Sequence, residues 1–241
     1  MKILVAGATG ATGQYLVRQL LERGHDVKII ARAPEKLPKT IRTHNNISII
    51  TAAILDISDV DLAKHLNECD AVASCLGHTL SLDGIFGPPR RLVTDSVRRL
   101  CHAVEANNPP KPVKFILMNS AGCKDRGIAE HVSFAQRCVI GLLRFVLPPH
   151  VDNEQAGDYF RISIGQNHPS IEWSVVRPDN LINENTVSPY TVHASPTRSA
   201  IFDPGTTSRI NVAHFVADLI SDPTIWSQWK EQMPVIYNQT D

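Results

Sequence analysis

The fold is decided by the opening stretch of the chain, MKILVAGATGATGQ at positions 1–14. The run Lys2 to Ala6 is apolar after its first residue and rich in strand-forming side chains, as in a buried β-strand. Three glycines follow at three-residue spacing, and a segment with helical periodicity opens near Gln14. A strand, a glycine-rich turn and a helix in this order predict a dinucleotide-binding site, because backbone N–H groups and the helix dipole then face a pyrophosphate.

Each glycine of the turn has its own predicted role. Gly7 permits a tight turn, Gly10 lets the backbone approach the pyrophosphate, and Gly13 lets the helix pack closely on the strand. The alternative is a glycine-rich turn that binds nothing. The residues predicted to hold the pyrophosphate are Gly7, Ala8, Thr9, Gly10, Ala11, Thr12 and Gly13.

Composition excludes several classes of protein. The 241 residues carry 24 Lys+Arg and 24 Asp+Glu, so the chain is not a basic nucleic-acid binder. No apolar run approaches the roughly 20 residues of a bilayer span, and no signal peptide is evident. Five scattered cysteines without a C-x-x-C pair indicate reduced thiols and no metal site. We expect a cytoplasmic protein with no direct nucleic-acid partner and no membrane partner.

Short β-branched runs alternate with amphipathic segments, a pattern typical of β-α-β units. Predicted strands cover Lys2–Ala6, Asp26–Ala31, Ile47–Thr51, Ala71–Ser74, Lys114–Met118, Glu172–Val176 and a short final run near Pro234–Tyr237. Predicted helices cover Thr12–Arg23, Pro89–Asn107, Phe134–Val146, Asn153–Gly165 and Val212–Ile220, the last with Asn211 as N-cap. Since crossovers between parallel strands are right-handed, this order predicts an α/β fold, a Rossmann-like doubly wound parallel sheet with helices on both faces.

Residues 1–241 are expected to form one dinucleotide-binding domain. Beyond Pro178 the sequence becomes irregular and polar, which predicts a small C-terminal substrate-covering region, a lid or cap, at 179–208. The apolar helices at 89–107 and 134–146 could supply the face of a homodimer if they are not fully covered.

The G-x-x-G-x-x-G spacing at 7–13 resembles that of the short-chain dehydrogenase/reductase superfamily. More narrowly, residues 2–10, the segment ARAPEKL at 31–37 and the segment VVRP at 175–178 resemble the atypical branch that contains NmrA-like proteins and flavin or biliverdin reductases. The resemblance covers nearly the whole chain. It implies an NAD(P)-binding protein that acts on a small-molecule substrate.

The end of the second predicted strand indicates which nucleotide is preferred. An acidic residue there would bind the ribose 2′-OH of NAD, whereas an arginine pairs with the 2′-phosphate of NADP. The sequence has Arg32 at this position, Lys36 shortly after it, and no carboxylate from Val27 to Pro34. NADP(H) is therefore favoured over NAD(H). The alternative is that Arg32 is a solvated surface charge.

The resemblance implies further cofactor contacts. Asp56 and Ile57, after the third strand, would flank the adenine, and the segment after the fourth strand would lie near the ribose and diphosphate. The chain that follows the fifth and sixth strands would line the nicotinamide site. The residues concerned are Leu76, Gly77, His78, Asn119, Ser120, Ala121, Pro178 and Asn180.

Ser120 stands at the catalytic serine position of the superfamily, where its hydroxyl can donate to a substrate oxygen as negative charge develops. The usual Tyr-x-x-x-Lys pair is missing, and no lysine lies between Lys124 and Lys230. His150 and Tyr159 are the candidate substitutes for the acid. A structural histidine and an ordinary core tyrosine are the alternatives.

Two functions from different classes fit these observations. The first is an NADP(H)-dependent oxidoreductase that passes a hydride to a carbonyl, quinone, flavin or conjugated acceptor. The second is an NmrA-like redox sensor or regulator that binds NADP(H) without turnover, which the missing Tyr-x-x-x-Lys pair favours and Ser120 disfavours. A nucleotide-sugar epimerase or dehydratase would depend more strictly on the missing pair.

Overall fold

The computed structural model describes residues 1–79 and 81–239. Strands and α-helices alternate along it, with short 3₁₀ helices at Pro34–Lys36 and Ile54–Asp56 and a π-helix at Tyr159–Ile164. In chain order the elements are β1 (Lys2–Ala6), α1 (Ala11–Glu22), β2 (Asp26–Ala31), α2 (Lys39–Arg42), β3 (Ile47–Thr51), α3 (Asp59–Leu66), β4 (Ala71–Ser74), α4 (Leu82–Phe86), α5 (Leu92–Ala106), β5 (Val113–Met118), α6 (Phe134–Val146), α7 (Pro148–Asp158), β6 (Ile171–Pro178), β7 (Asn180–Ile182), β8 (Tyr190–His193), β9 (Thr206–Ser208), α8 (Arg209–Ser221), α9 (Pro223–Trp229) and β10 (Val235–Asn238).

Eight strands form the central sheet in the order β3-β2-β1-β4-β5-β6-β10-β8. All neighbours are parallel except β8, which pairs antiparallel with β10. The chain order reverses between β1 and β4, so ligands are expected at the carboxyl ends of these two strands. The predicted α/β fold with a Rossmann-like parallel sheet is confirmed.

The core lies on both faces of the sheet. Ile3 and Val5 of β1 pack on one side with α1, α8 and α9, and Leu4 and Ala6 pack on the other side with α3, α5 and the π-helix. Because both faces are covered, the central strands are apolar without alternation, which is why their positions are predicted correctly from sequence.

Two predictions about local structure are wrong. Asn211 is not the N-cap of the last long helix, because α8 begins at Arg209 and the hydroxyl of Ser208 accepts the Asn211 N–H. The Asn211 amide instead donates to Ser188 and Asn238 inside the protein. The segment 179–208 is irregular only in part. It contains β7 and β9, which pair with each other, and β8, which joins the main sheet.

The helix predicted over 153–165 begins earlier, at Pro148, because prolines are tolerated in the first turn of a helix. Within the described part of the chain, no helix is long and apolar enough to cross a membrane.

Candidate functional site

Two glycines of the turn, Gly7 and Gly13, lie where no side chain would fit. Gly7 has φ +80°, and a Cβ there would lie 2.5 Å from the carbonyl carbon of Cys75 at the end of β4. A Cβ at Gly13 would lie 2.2 Å from the Gly7 carbonyl oxygen. The Gly10 N–H donates a hydrogen bond to the same oxygen at 3.0 Å. The turn is thus a tight backbone cradle between β1 and α1, beside the end of β4, and its N–H groups could hold a pyrophosphate.

The first turn of α1 faces this cradle. Gly10 is its N-cap and contributes no side-chain hydrogen bond, and no acidic residue lies in the first turn. The N-terminal N–H groups of a helix carry partial positive charge and suit an anion. The glycine turn and the N-terminus of α1 therefore both favour a phosphate group as ligand.

Two unpaired cations follow β2. Arg32 and Lys36 are exposed, and neither has an ion pair or a side-chain hydrogen bond with another residue of the described ranges. They lie beyond the carboxyl end of a strand adjacent to β1, on the edge of the sheet that carries the glycine turn. Both are available to an anionic ligand.

The candidate adenine residues occupy the turn after β3. Asp56 is exposed and Ile57 is buried. Asp56 does not cap α3, since Ser58 is the N-cap and its hydroxyl accepts the Asp61 N–H at 3.1 Å. The Asp56 carboxylate is therefore left to the solvent or to a ligand.

Arg99 of α5 shapes this turn and was not identified from the sequence. Its guanidinium donates to the carbonyl oxygens of Ile54 at 3.1 Å and Leu55 at 2.7 Å, and also to that of Ile57. It pairs with the Asp59 carboxylate at 2.7 Å. Because these residues are 40 to 45 positions away in sequence, spacing carries no signal for the contact.

His78 lies in the segment after β4, and its ring is engaged inside the protein. Nε2 lies 2.8 Å from Asp152 Oδ2, and Nδ1 lies 3.1 Å from the Gly84 carbonyl oxygen. The same fully buried carboxylate accepts the N–H groups of Val93 and Thr94, and so caps α5 from α7. This leaves the backbone of residues 76–78, rather than the imidazole, to face a cofactor.

Asn119 and Ser120 follow β5 directly. The buried Asn119 amide donates to the Asn153 carbonyl at 2.9 Å and its oxygen accepts the Ser120 N–H, so this side chain anchors α7. The hydroxyl oxygen of Ser120 accepts the Gly122 N–H at 3.2 Å. Its own proton remains free to be donated to another acceptor.

His150 is brought to the same place by α7. A Cβ built at Gly122 would lie 3.6 Å from Ser120 Oγ and 3.8 Å from His150 Cε1, so both side chains border the space beside this glycine. The Nε2 atom of His150 is buried without a hydrogen-bond partner in the described residues, and lies 3.6 Å from Glu154 Oε1. Two of the three candidate catalytic residues are thus brought together.

Glu154 is held as a carboxylate. Both of its oxygens accept hydrogen bonds at 2.8 Å from the Arg144 guanidinium. Burial acts to raise the pKa of Glu154, but His150 and Arg144 outweigh it and lower this pKa to about 2. The carboxylate forms an ion pair with His150 whenever the imidazole is protonated.

Tyr159 does not lie beside Ser120 and His150. It starts the π-helix and packs toward α5, with the Arg98 guanidinium 5.5 Å from its ring centroid and Phe160 as aromatic neighbour. Burial raises the pKa of Tyr159 to about 12, which makes it a poor acid at neutral pH. The alternative of an ordinary core tyrosine accounts for this position.

The side chain of Asp179 holds the turn that follows β6. The Pro178 carbonyl accepts the Ala121 N–H at 2.9 Å, which joins this strand end to the loop after Ser120. The Asp179 carboxylate accepts the N–H groups of Asn180 and Gly205, each at 2.9 Å. The turn before β7 is therefore built by a side chain, and exposed Asn180 is accessible at its outer end.

A cavity of about 620 Å³ lies at the opposite edge of the sheet, at the amino ends of the strands. Its lining includes Lys2, Asp26 and Asp70, which are remote from the glycine turn along their strands. It is not part of the candidate site.

Comparisons with known proteins agree with this geometry. Residues 7–223 match a family described as NAD(P)H-binding. An uncharacterized chloroplastic protein of Arabidopsis thaliana is 29% identical over 184 residues, which cover 76% of this chain and 60% of that protein. The divinyl chlorophyllide a 8-vinyl-reductase of Oryza sativa subsp. indica is 28% identical over 236 residues, 91% of this chain and 51% of the reductase. The chain thus spans about half to three fifths of the length of these relatives.

Solved structures share the fold at low sequence identity. An oxidoreductase from Lactococcus lactis has a TM-score of 0.69 at 17% identity, covering 100% of this chain and 92% of its own. A short-chain dehydrogenase/reductase from Veillonella parvula in complex with NADP has a TM-score of 0.70 at 16% identity, covering 98% and 94%. An anaerobilin reductase from Escherichia coli O157:H7 has 0.70 at 14%, covering 100% and 98%. With the family match extending over most of its length, the chain belongs to the NAD(P)H-binding family, and the expected likeness in fold to oxidoreductases of the short-chain dehydrogenase/reductase type is confirmed.

Proposed function

We propose that the protein is an NADP(H)-dependent oxidoreductase that reduces a carbonyl, quinone, flavin or other conjugated small-molecule acceptor. The observation that carries this proposal is the convergence of Ser120 Oγ and the His150 ring on the space beside Gly122, at the carboxyl end of β5. The bound nicotinamide would supply the hydride. The reductases among the relatives and structural neighbours support the same reaction class.

The chain's own residues would hold the cofactor along the carboxyl edge of the sheet. The turn at 7–13 and the start of α1 bind the pyrophosphate, because a backbone cradle and a helix N-terminus both favour anions. Arg32 and Lys36 bind the 2′-phosphate, a role that suits two exposed cations with no acidic partner among the described residues. Asp56 and Ile57 border the adenine. The backbone of 76–78 and the strand ends at Asn119, Ala121, Pro178 and Asn180 border the ribose and nicotinamide side.

Ser120 would polarise the acceptor. Its oxygen is oriented by the Gly122 N–H, so the hydroxyl proton can be donated to the acceptor oxygen on which negative charge develops. A donor that is already oriented needs little reorganisation in the transition state, which is where such a hydrogen bond contributes most.

His150 would deliver the proton in place of the missing tyrosine. The imidazole borders the same space as Ser120 through its Cε1 atom, while its Nε2 is buried beside Glu154. Glu154, fixed by Arg144, keeps a negative charge 3.6 Å from this nitrogen and steadies the protonated ring between turnovers. The segment 179–208, with β7 and β9, would cover the acceptor.

The test is NADPH oxidation by the purified protein with a panel of quinones, flavins and aldehydes, followed by absorbance. Ser120→Ala should lower kcat/KM by about 100-fold, the usual loss of an oxyanion donor, while leaving the Kd for NADPH nearly unchanged. The matched control is Ser163→Ala, an exposed hydroxyl in the π-helix, which should have no effect.

Binding of NADPH without turnover on any acceptor would contradict the proposal and favour the sensor, for which the missing Tyr-x-x-x-Lys pair is the supporting observation. Equal turnover in wild type and Ser120→Ala would remove Ser120 from the mechanism. Failure to bind either nicotinamide nucleotide would contradict both functions.

A further inference from the structure

The outer face of α6 is apolar and exposed. Phe134, Cys138, Leu142 and Phe145 recur every three or four residues and therefore lie along one side of the helix. Phe134 is 79% exposed, Leu142 63% and Phe145 89%. The buried positions of this helix are Gln136 and Ile140 alone. The largest side chains on this side of α6 thus point away from the protein, while Ile140 on the opposite side is buried.

This arrangement is the reverse of an ordinary surface helix, which turns its apolar side inward. Contiguous exposed apolar surface of this kind marks a contact with another apolar phase. It does not result from a break in the fold, because α6 is well anchored at both ends. Gln136 accepts a hydrogen bond from Ser199 at 2.8 Å, and Arg144 pairs with Glu154 of α7.

Within residues 121–151, which include α6, the charged side chains at the surface are all positive. The acidic residues of 121–151 are Asp125 and Glu130, and both are buried. Lys124 and Arg137 are exposed, and no acidic residue of the described ranges pairs with them. Two further exposed cations, Arg126 and Arg144, pair with acids of the following helix.

We propose that α6 lies flat on an anionic lipid surface, with Phe134, Leu142 and Phe145 inserted among the acyl chains and Arg137 at the phosphates. An interfacial helix has this composition, with bulky apolar residues on one side and cations beside them. About 20 Å of helix is available for the contact, since each of its residues adds 1.5 Å.

A second copy of the chain fits this face less well. In a two-fold symmetric dimer the face would meet itself, so Arg137 and Lys124 would approach cations without an acidic partner on the same surface. Protein interfaces also contain regular hydrogen bonds, and the exposed side chains of α6 offer no polar group besides Arg137 and Arg144. A lipid surface requires neither an acidic partner for these cations on the same protein surface nor regular hydrogen bonds.

The expectation that the protein has no membrane partner rested on the lack of a spanning segment. A helix that lies in the membrane interface does not cross the bilayer. The lack of a spanning segment is therefore no argument against lipid binding by α6. The proposal is independent of the redox activity proposed above.

The test is co-sedimentation of the full chain with vesicles of phosphatidylcholine, or of equal parts phosphatidylcholine and phosphatidylglycerol. Wild type should bind the mixed vesicles and not the neutral ones. Phe145→Ser should weaken this binding by roughly tenfold, and Arg137→Glu should weaken it and reduce its dependence on salt. The matched control is Val60→Ser, which removes a side chain that is 66% exposed on α3 and should bind as wild type.

Three results would overturn the proposal. The first is no binding of wild type to mixed vesicles. The second is equal binding by Phe145→Ser. The third comes from sedimentation velocity without lipid: a wild-type dimer that Phe145→Ser converts to monomer would make this face a dimer interface. Far-UV circular dichroism of both variants checks that a loss of binding is not a loss of fold.

Discussion

The Arg177 guanidinium lies 2.7 Å from the Glu130 carboxylate, and both side chains are almost fully buried. The guanidinium also donates to the carbonyl oxygens of Met233 at 2.6 Å and Cys123 at 2.9 Å. Glu130 in turn accepts the Asp125 N–H at 3.0 Å. The pair therefore ties β6 to the loop that follows Ser120, and it fixes the loop on which the proposed chemistry depends.

Breaking this pair should destabilise the protein strongly. Glu130→Gln leaves a buried guanidinium without its counter-charge, so we expect the free energy of unfolding to fall by about 3–5 kcal/mol. Urea denaturation followed by tryptophan fluorescence measures it. Asp203→Asn is the control, because its pair with Arg198 is exposed and its loss should cost less than about 1 kcal/mol. Similar effects of the two variants would show that the buried pair is not what holds the loop.

Arg99 should act on the adenosine half of the cofactor alone. Arg99→Gln removes donors from the carbonyls of 54–57 and loosens the turn that carries Asp56. We expect the affinity for 2′,5′-ADP to fall about tenfold while that for reduced nicotinamide mononucleotide is unchanged, as measured by calorimetry. Arg98→Gln, one residue away on α5, should change neither. A parallel loss of both affinities would indicate general damage to the fold instead.

The sequence predicts the strands well and the polar contacts of the site poorly, for physical reasons. Strands such as Lys2–Ala6 and Ala71–Ser74 are buried on both sides, so composition alone marks them, and the glycine spacing at 7–13 is a local backbone requirement. The contacts made by Arg99 and Asp152 join residues distant in sequence, and no periodicity records them. The segment 179–208 looks irregular because its strands are only three or four residues long.

Arg32 should set the preference for NADPH. Arg32→Ser removes the guanidinium that we expect to pair with the 2′-phosphate, so the Kd for NADPH should rise about 10- to 100-fold. The Kd for NADH should change little, because NADH lacks that phosphate. Lys39→Ser removes another exposed cation close by and serves as the control. If both nucleotides weaken equally in Arg32→Ser, this residue does not read the 2′-phosphate.

Substitutions of His150 and of Tyr159 should have clearly different effects on kcat. His150→Gln removes the proposed proton donor and should lower kcat by about 100-fold or more. Tyr159→Phe removes a hydroxyl whose pKa burial raises to about 12, and kcat should stay within about twofold of wild type. Steady-state rates with a reducible acceptor measure both. A large loss in Tyr159→Phe together with normal turnover in His150→Gln would reverse the assignment.

Glu154 should make the protein sensitive to acid over a defined range of pH. Its pKa falls from an ordinary value of 4.5 to about 2 in the folded chain, because the contributions of His150 and Arg144 exceed the opposing effect of burial. A carboxyl group whose pKa is lower in the folded state stabilises the fold above its unfolded pKa, and this stabilisation is lost as the pH falls through the folded value.

Glu154→Gln should therefore lower the free energy of unfolding at pH 7 by about 1–2 kcal/mol, a figure reduced for the partial exposure of Arg144. The difference from wild type should shrink between about pH 4.5 and pH 2, where the wild-type carboxylate takes up its proton. Urea denaturation at a series of pH values measures this, with Glu22→Gln in an exposed pair with Arg18 as control. A difference that stays constant down to pH 2 would mean that Glu154 acts through packing, and then its charge could not be what steadies protonated His150.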